Sequence, residues 1–114
     1  MKIEKFEDIN SWQKARDLSI RTYKNFNKSR DYSFGDQIQR AVISIMNNIA
    51  EGFERGGNKE FKYFLFIAKD SCAEFRSMLY VAHELGYISK NEFDEMHASA
   101  LEISRLISGL IKTL

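Results

Sequence analysis

The sequence predicts an all-α protein, folded as an antiparallel up-down-up-down four-helix bundle that occupies residues 1–114 as one domain. Three observations carry that reading. Proline is absent and glycine occurs only six times, which favours long helices joined by short connections. Apolar residues recur at spacings of three and four in four separate stretches, whereas no stretch alternates with the period of two that a strand requires. Finally, 114 residues with 44% hydrophobic content suffice for one modest core but not for two.

The first helix is expected to begin near Asn10, capped with Gln13 three positions on. Trp12, Ala15, Ser19, Thr22 and Phe26 form its inward stripe, widened by Leu18 and Tyr23. It should end between Asn27 and Arg30. Residues 29–35 contain turn formers without a period, so they read as a connection in which Tyr32 and Phe34 anchor to the bundle. Ser33 followed by Asp36 looks like the cap of the second helix.

That second helix carries two faces. Ile38, Val42, Ile45, Ile49 and Phe53 make an apolar stripe, while Gln37, Arg40, Ser44, Asn48, Glu51 and Arg55 make a polar line in the same register. A solvated face usually fills with Lys and Glu, because Asn and Ser are weaker helix formers. The line therefore reads either as a hydrogen-bonded contact between helices or subunits, or as a binding surface. Gly56 and Gly57 terminate the helix. Gly52, inside it, costs about 1 kcal/mol relative to alanine, so it implies a close backbone approach or an early, irregular helix end.

The third helix should run from Asn58 to Leu85, with Phe61, Phe64 or Leu65, Ala68, Cys72, Phe75, Leu79, Ala82 and Leu85 on the core stripe. Its first half is apolar nearly all round. Tyr63, Phe66 and Ile67 would be left uncovered in a single small bundle, which points to a homo-oligomer that buries them; the alternative is that residues 29–35 fold over them. After Gly86 and Tyr87, Ser89 and Glu92 form a capping box and Ile88 with Phe93 a hydrophobic staple. Phe93, Met96, Ala100, Ile103, Ile107, Leu110 and Leu114 then repeat as a coiled-coil-like seam.

Composition narrows the function. No apolar run approaches the roughly 20 residues of a membrane span, and the charged N-terminus lacks a signal peptide's apolar segment, so a cytoplasmic protein with no membrane partner is expected. The one cysteine, Cys72, lies on an apolar stripe and reads as a core residue. A metal centre of the bundle type needs Glu-x-x-His on two helices, and only Asp94-x-x-His97 approaches that; no metal or other cofactor is expected. Nucleophile elbows, phosphate loops and dinucleotide fingerprints are missing. No catalytic residues are assigned, and the protein is read as no enzyme.

Charge offers one lead. The net charge is +1, but the stretch from Lys14 to Asp31 holds six cations against two acids. Lys14, Arg21 and Lys28 are seven apart and line one face with Lys24 beside them, an arrangement suited to a phosphate backbone or to an ordinary solvated face.

Three blocks of the chain carry a family resemblance: FEDINSWQKAR at 6–16, QIQRAVISIMNNIAEGFER at 37–55 and FLFIAKDSCAE at 64–74. They resemble the signature blocks of the bacterial four-helix-bundle proteins encoded in intervening sequences of 23S ribosomal RNA genes. More distantly, the chain is similar to the accessory proteins of diversity-generating retroelements, barrel-like pentamers that bind nucleic acid and reverse transcriptase. The resemblance implies a four-helix bundle, a homopentamer, association with RNA and no enzymatic activity. It places the family's polar signature on Gln37, Arg40, Ser44, Asn48, Glu51, Gly52 and Arg55, with Ser71 and Glu74 on the third helix. Arg40 or Arg55 is expected to pair with Glu74 or Glu51 between helices or subunits. Two functions follow as expectations: an oligomeric binder of structured RNA or the ribosome, with phosphate contacts from Lys14, Arg21, Lys24 and Lys28, or a protein-interaction scaffold that assembles through the third helix.

Overall fold

The computed structural model describes residues 2–114 and contains four long helices: α1 (Asn10–Phe26), α2 (Tyr32–Glu54), α3 (Asn58–Glu84) and α4 (Lys90–Lys112), preceded by a 3-10 turn at Phe6–Asp8. No strand occurs among the described residues. Each helix packs on its chain neighbours, and α4 closes the ring against α1. Short reversals at each connection make this an antiparallel up-down-up-down bundle. The body measures 43 × 22 × 19 Å, so its length is essentially that of α3.

The stripes seen in the sequence converge on one core. Ile38, Val42, Ile45 and Ile49 of α2 meet Leu65, Ala68, Cys72, Phe75 and Leu79 of α3, and Met96, Ala100, Ile103 and Ile107 of α4, all fully buried. Helix α1 contributes the smaller Ala15, Ser19 and Thr22. The two hydroxyls enter the core without penalty because each donates one turn back along its own helix, Ser19 to Ala15 O at 2.8 Å and Thr22 to Leu18 O at 2.8 Å.

Gly52 explains how closely α2 and α3 approach. A Cβ there would stand 2.6 Å from the Phe64 Cβ and 3.2 Å from the Phe61 ring. Helix α2 continues past it to Glu54, so the residue serves the close approach and not an early end. Gly56 and Gly86 do terminate helices, with φ of +85° and +76°, a conformation that costs a side-chain-bearing residue roughly 1–2 kcal/mol.

The helix starts differ from expectation in two places. Ile9, not Asn10, occupies the N-cap of α1 and supplies no side-chain bond; Gln13 instead donates to Glu7 O at 2.8 Å and ties the 3-10 turn to the helix. Helix α2 is capped by Asp31, which accepts from Phe34 N at 3.1 Å, so Ser33 and Asp36 lie inside the helix. Asp31 won because it also accepts from the Tyr87 hydroxyl at 2.7 Å, a tertiary bond no local pattern reveals. The same contact assembles Phe26, Phe34 and Tyr87 into an aromatic cluster, while Tyr32 points outward at 78% exposure and anchors nothing. Leu85, expected in the core, is also exposed, because α3 ends at Glu84 and the chain turns before another inward position. The capping box of Ser89 and Glu92 forms as expected, with bonds of 3.1 and 2.8 Å.

Candidate nucleic-acid interface

The polar line of α2 splits into an inner and an outer part. Ser44 meets Ser71 of α3, hydroxyl to hydroxyl, at 3.0 Å. Asn48 donates to the Ser44 carbonyl and hydroxyl at 2.8 and 2.9 Å, leaving the Ser44 proton free for Ser71. These residues form a satisfied bond between helices. Arg55 reaches Glu51 at 3.0 Å, but within α2, and its guanidinium also lies 4.9 Å from the centre of the Phe64 ring. Within one chain, then, Arg55 pairs locally and not across helices. Gln37, Arg40 and Glu74 are exposed and make no side-chain bond or ion pair among the described residues.

The cations expected to meet phosphate on α1 are partly neutralised by α4. Lys14 Nζ lies 3.3 Å from Glu102 Oε1, and Arg21 donates to Glu95 Oε1 at 2.7 Å. Exposed pairs like these contribute little to stability, about 0–1 kcal/mol each, yet each carboxylate cancels the field an incoming phosphate would feel. Lys24 and Lys28 stay exposed without a carboxylate partner among the described residues. Two of the four positions thus have a carboxylate neighbour and two do not.

A second set of cations lies elsewhere, on the α4-facing flank of α3 and on the outer face of α4. Lys62, Lys69 and Arg76 are seven apart on α3, and Arg105 and Lys112 are seven apart on α4, so on each helix they repeat about every 10.5 Å along one face. Arg76 and Tyr80 share a groove of about 440 Å³ with His97 and Leu101, which fixes this flank of α3 as the one that faces α4. Continuing the helical period places Lys62 and Lys69 along the same flank, whereas Arg105, midway between the buried Ile103 and Ile107, lies on the outer face of α4 with Lys112 seven residues on. None of these five cations has a carboxylate within 4.0 Å among the described residues. The one acid on the α4 side of the seam, Asp94, is held by Lys90 at 2.7 Å.

The chain carrying these cations has recognisable relatives. The sequence model of the family described as "23S rRNA-intervening sequence protein" matches residues 7–109. The chain belongs to that family.

This member of the 23S rRNA-intervening sequence protein family shares its architecture with a solved structure. A crystal structure of a protein of unknown function from the S23 ribosomal protein family of Bacteroides thetaiotaomicron superposes with a TM-score of 0.83, at 24% identity, covering 90% of this chain and 98% of that one. At that identity the likeness concerns the fold alone. None of the curated proteins matches the chain. The family's description names no enzymatic activity.

In this family member the third-helix patch stays open on the single chain. Tyr63 and Phe66 are 64% and 50% exposed, and Ile67 is half-buried. The connection after α1 does not cover them; it packs near Tyr87, at the opposite end of α3. The two histidines belong to an aromatic cluster with Phe93, on which His97 stacks and His83 tilts. No group of three or more potential metal-ligating side chains converges among the described residues, and none of the helices described is long and apolar enough to cross a membrane. Burial pushes the Cys72 thiol up to about 12, against the opposing pull of Arg76 and Lys69. Such a thiol stays protonated and is a poor nucleophile.

Proposed function

We propose that this protein binds RNA without catalysing a reaction, in a ribosome-related setting, and that its phosphate contacts come chiefly from the α3–α4 track. The observation that supports this reading is the set of three unpaired cations on the α4-facing flank of α3, with Arg105 and Lys112 on the adjoining outer face of α4, in a protein whose net charge is only +1. Lys24 and Lys28 add a smaller site on α1. The family's description names 23S rRNA, which supports a ribosome-related setting.

The test is retention of labelled RNA at several salt concentrations. If all five cations engage, log affinity should fall with log salt at a slope of about −3.5 for a single strand and about −4.5 for a duplex. The charge-reversed variant Lys69→Glu/Arg76→Glu/Arg105→Glu should lose most of this binding, whereas Lys24→Glu/Lys28→Glu should lose the smaller part. A variant reversed on the track that binds like the wild type refutes the assignment.

A second reading, self-association, is favoured by the exposed Tyr63 and Phe66 beside half-buried Ile67. We propose that a homo-oligomer, a pentamer by the family resemblance, covers this patch; a scaffold for a protein partner would use the same surface. A monomeric mass by light scattering at micromolar concentration would overturn the self-association.

A further inference from the structure

The track holds more than charge. Along α3 the order is Lys62, Phe66, Lys69, Arg76, Tyr80 at intervals of four, three, seven and four residues, so two aromatic rings stand between and beside the cations on the flank that faces α4. Both rings are half exposed, Phe66 at 50% and Tyr80 at 55%. A surface that bound only the backbone of a duplex would have no use for them, because paired bases are stacked on one another and offer no free ring face. An unpaired strand exposes its bases, and aromatic side chains beside cations are what it stacks on.

Tyr80 is also held in place. Its ring makes edge contacts with Phe93 at 5.0 Å and His97 at 5.6 Å, and its hydroxyl lies 3.3 Å from His97 Nε2. A ring already ordered by its own protein gives up little freedom when a ligand arrives. Next to it the groove of about 440 Å³ presents the Arg76 guanidinium and the Ser77 hydroxyl, groups that match a phosphate and a base edge. The rings are 14 positions apart, about 21 Å of helix, a distance that several nucleotides of strand cross.

We propose that the α3–α4 seam takes an unpaired polynucleotide strand, with phosphates along Lys62, Lys69 and Arg76 and bases against Phe66 and Tyr80. This rests on the RNA-binding reading above and adds the strandedness of the ligand. The shared chemistry is a phosphodiester backbone with free base faces, which single-stranded RNA and DNA both carry.

Fluorescence anisotropy with oligouridylate and oligothymidylate of about twelve nucleotides, and with an RNA duplex of equal length, tests it. At matched salt the wild type should bind at least one single strand more tightly than the duplex. Phe66→Ala/Tyr80→Ala should weaken single-strand binding about 5- to 150-fold per engaged ring while leaving the duplex within about twofold, since the cations remain. The ring-preserving Phe66→Tyr/Tyr80→Phe should keep single-strand affinity. Equal affinity for strand and duplex, or an alanine variant that weakens neither, overturns strand stacking while leaving the charge-based reading intact. Loss of binding to every ligand in the wild type at low salt sinks both. An alanine variant whose mass in light scattering falls from oligomer to monomer makes the rings a contact between copies and overturns the proposal as well.

Discussion

Replacing Gly52 by alanine tests the claim that α2 and α3 are held together by a glycine contact. The new methyl would sit 2.6 Å from the Phe64 Cβ, closer than two such atoms approach, and a Cβ cannot rotate out of the way as a side-chain tip can. The helices must therefore move apart, loosening the pairs that Ile45, Ile49, Leu65 and Ala68 make across the seam. Overpacking of this kind costs about 1–3 kcal/mol, and the rigid partner atom places it near the upper end. Alanine returns about 1 kcal/mol of helix preference, for a net loss of about 1–2 kcal/mol. In a chain of this size that lowers Tm by roughly 4–10 °C, readable by circular dichroism. The control is Gly109→Ala in α4, where nothing lies within 4 Å of the added methyl; there the helix preference acts alone and Tm should rise. A Gly52→Ala protein as stable as the wild type, with Gly109→Ala behaving as stated, would refute the close-approach argument.

Two further outcomes follow from the titratable groups. The Tyr87 hydroxyl and the Phe34 N–H hold the Asp31 carboxyl below its ordinary value of 3.8, so its stabilising effect is present above that value and lost as pH falls through the lowered one. Tm of the wild type should drop between about pH 5 and pH 2, and Asp31→Asn, less stable at neutral pH, should show a smaller drop; equal acid sensitivity in both would remove Asp31 from the cause. Cys72, fully buried and with its thiol pushed up to about 12, should resist an aromatic disulfide reagent in the native state and react stoichiometrically in denaturant. Rapid native labelling would mean that the α3 core opens far more readily than its packing implies.

Much of the bundle was legible because its causes are local. The apolar stripes of α2, α3 and α4, the stop at Gly56 and the capping box at Ser89 are all consequences of which residues stand three and four apart. The mistakes share one cause of the opposite kind. Asp31 displaced Ser33 as the cap of α2 through Tyr87, 56 residues away. Nor could the sequence show that Lys14 and Arg21 stand beside Glu102 and Glu95, because those carboxylates come from α4.

The candidate site shows the same division. Cations at 14, 21, 24 and 28 attract notice because they crowd one short stretch, whereas those at 62, 69, 76, 105 and 112 are diluted along half the chain and interleaved with Asp70, Glu74 and Glu102 on other faces. By itself the sequence determined the number of helices, their inward faces and where most of them stop, because backbone geometry converts a three-and-four spacing into one stripe without help from elsewhere. Only the tertiary structure decided which charges survive unpaired. An electrostatic field sums over neighbours in space, and helices antiparallel in a bundle bring together side chains that the chain order keeps tens of residues apart.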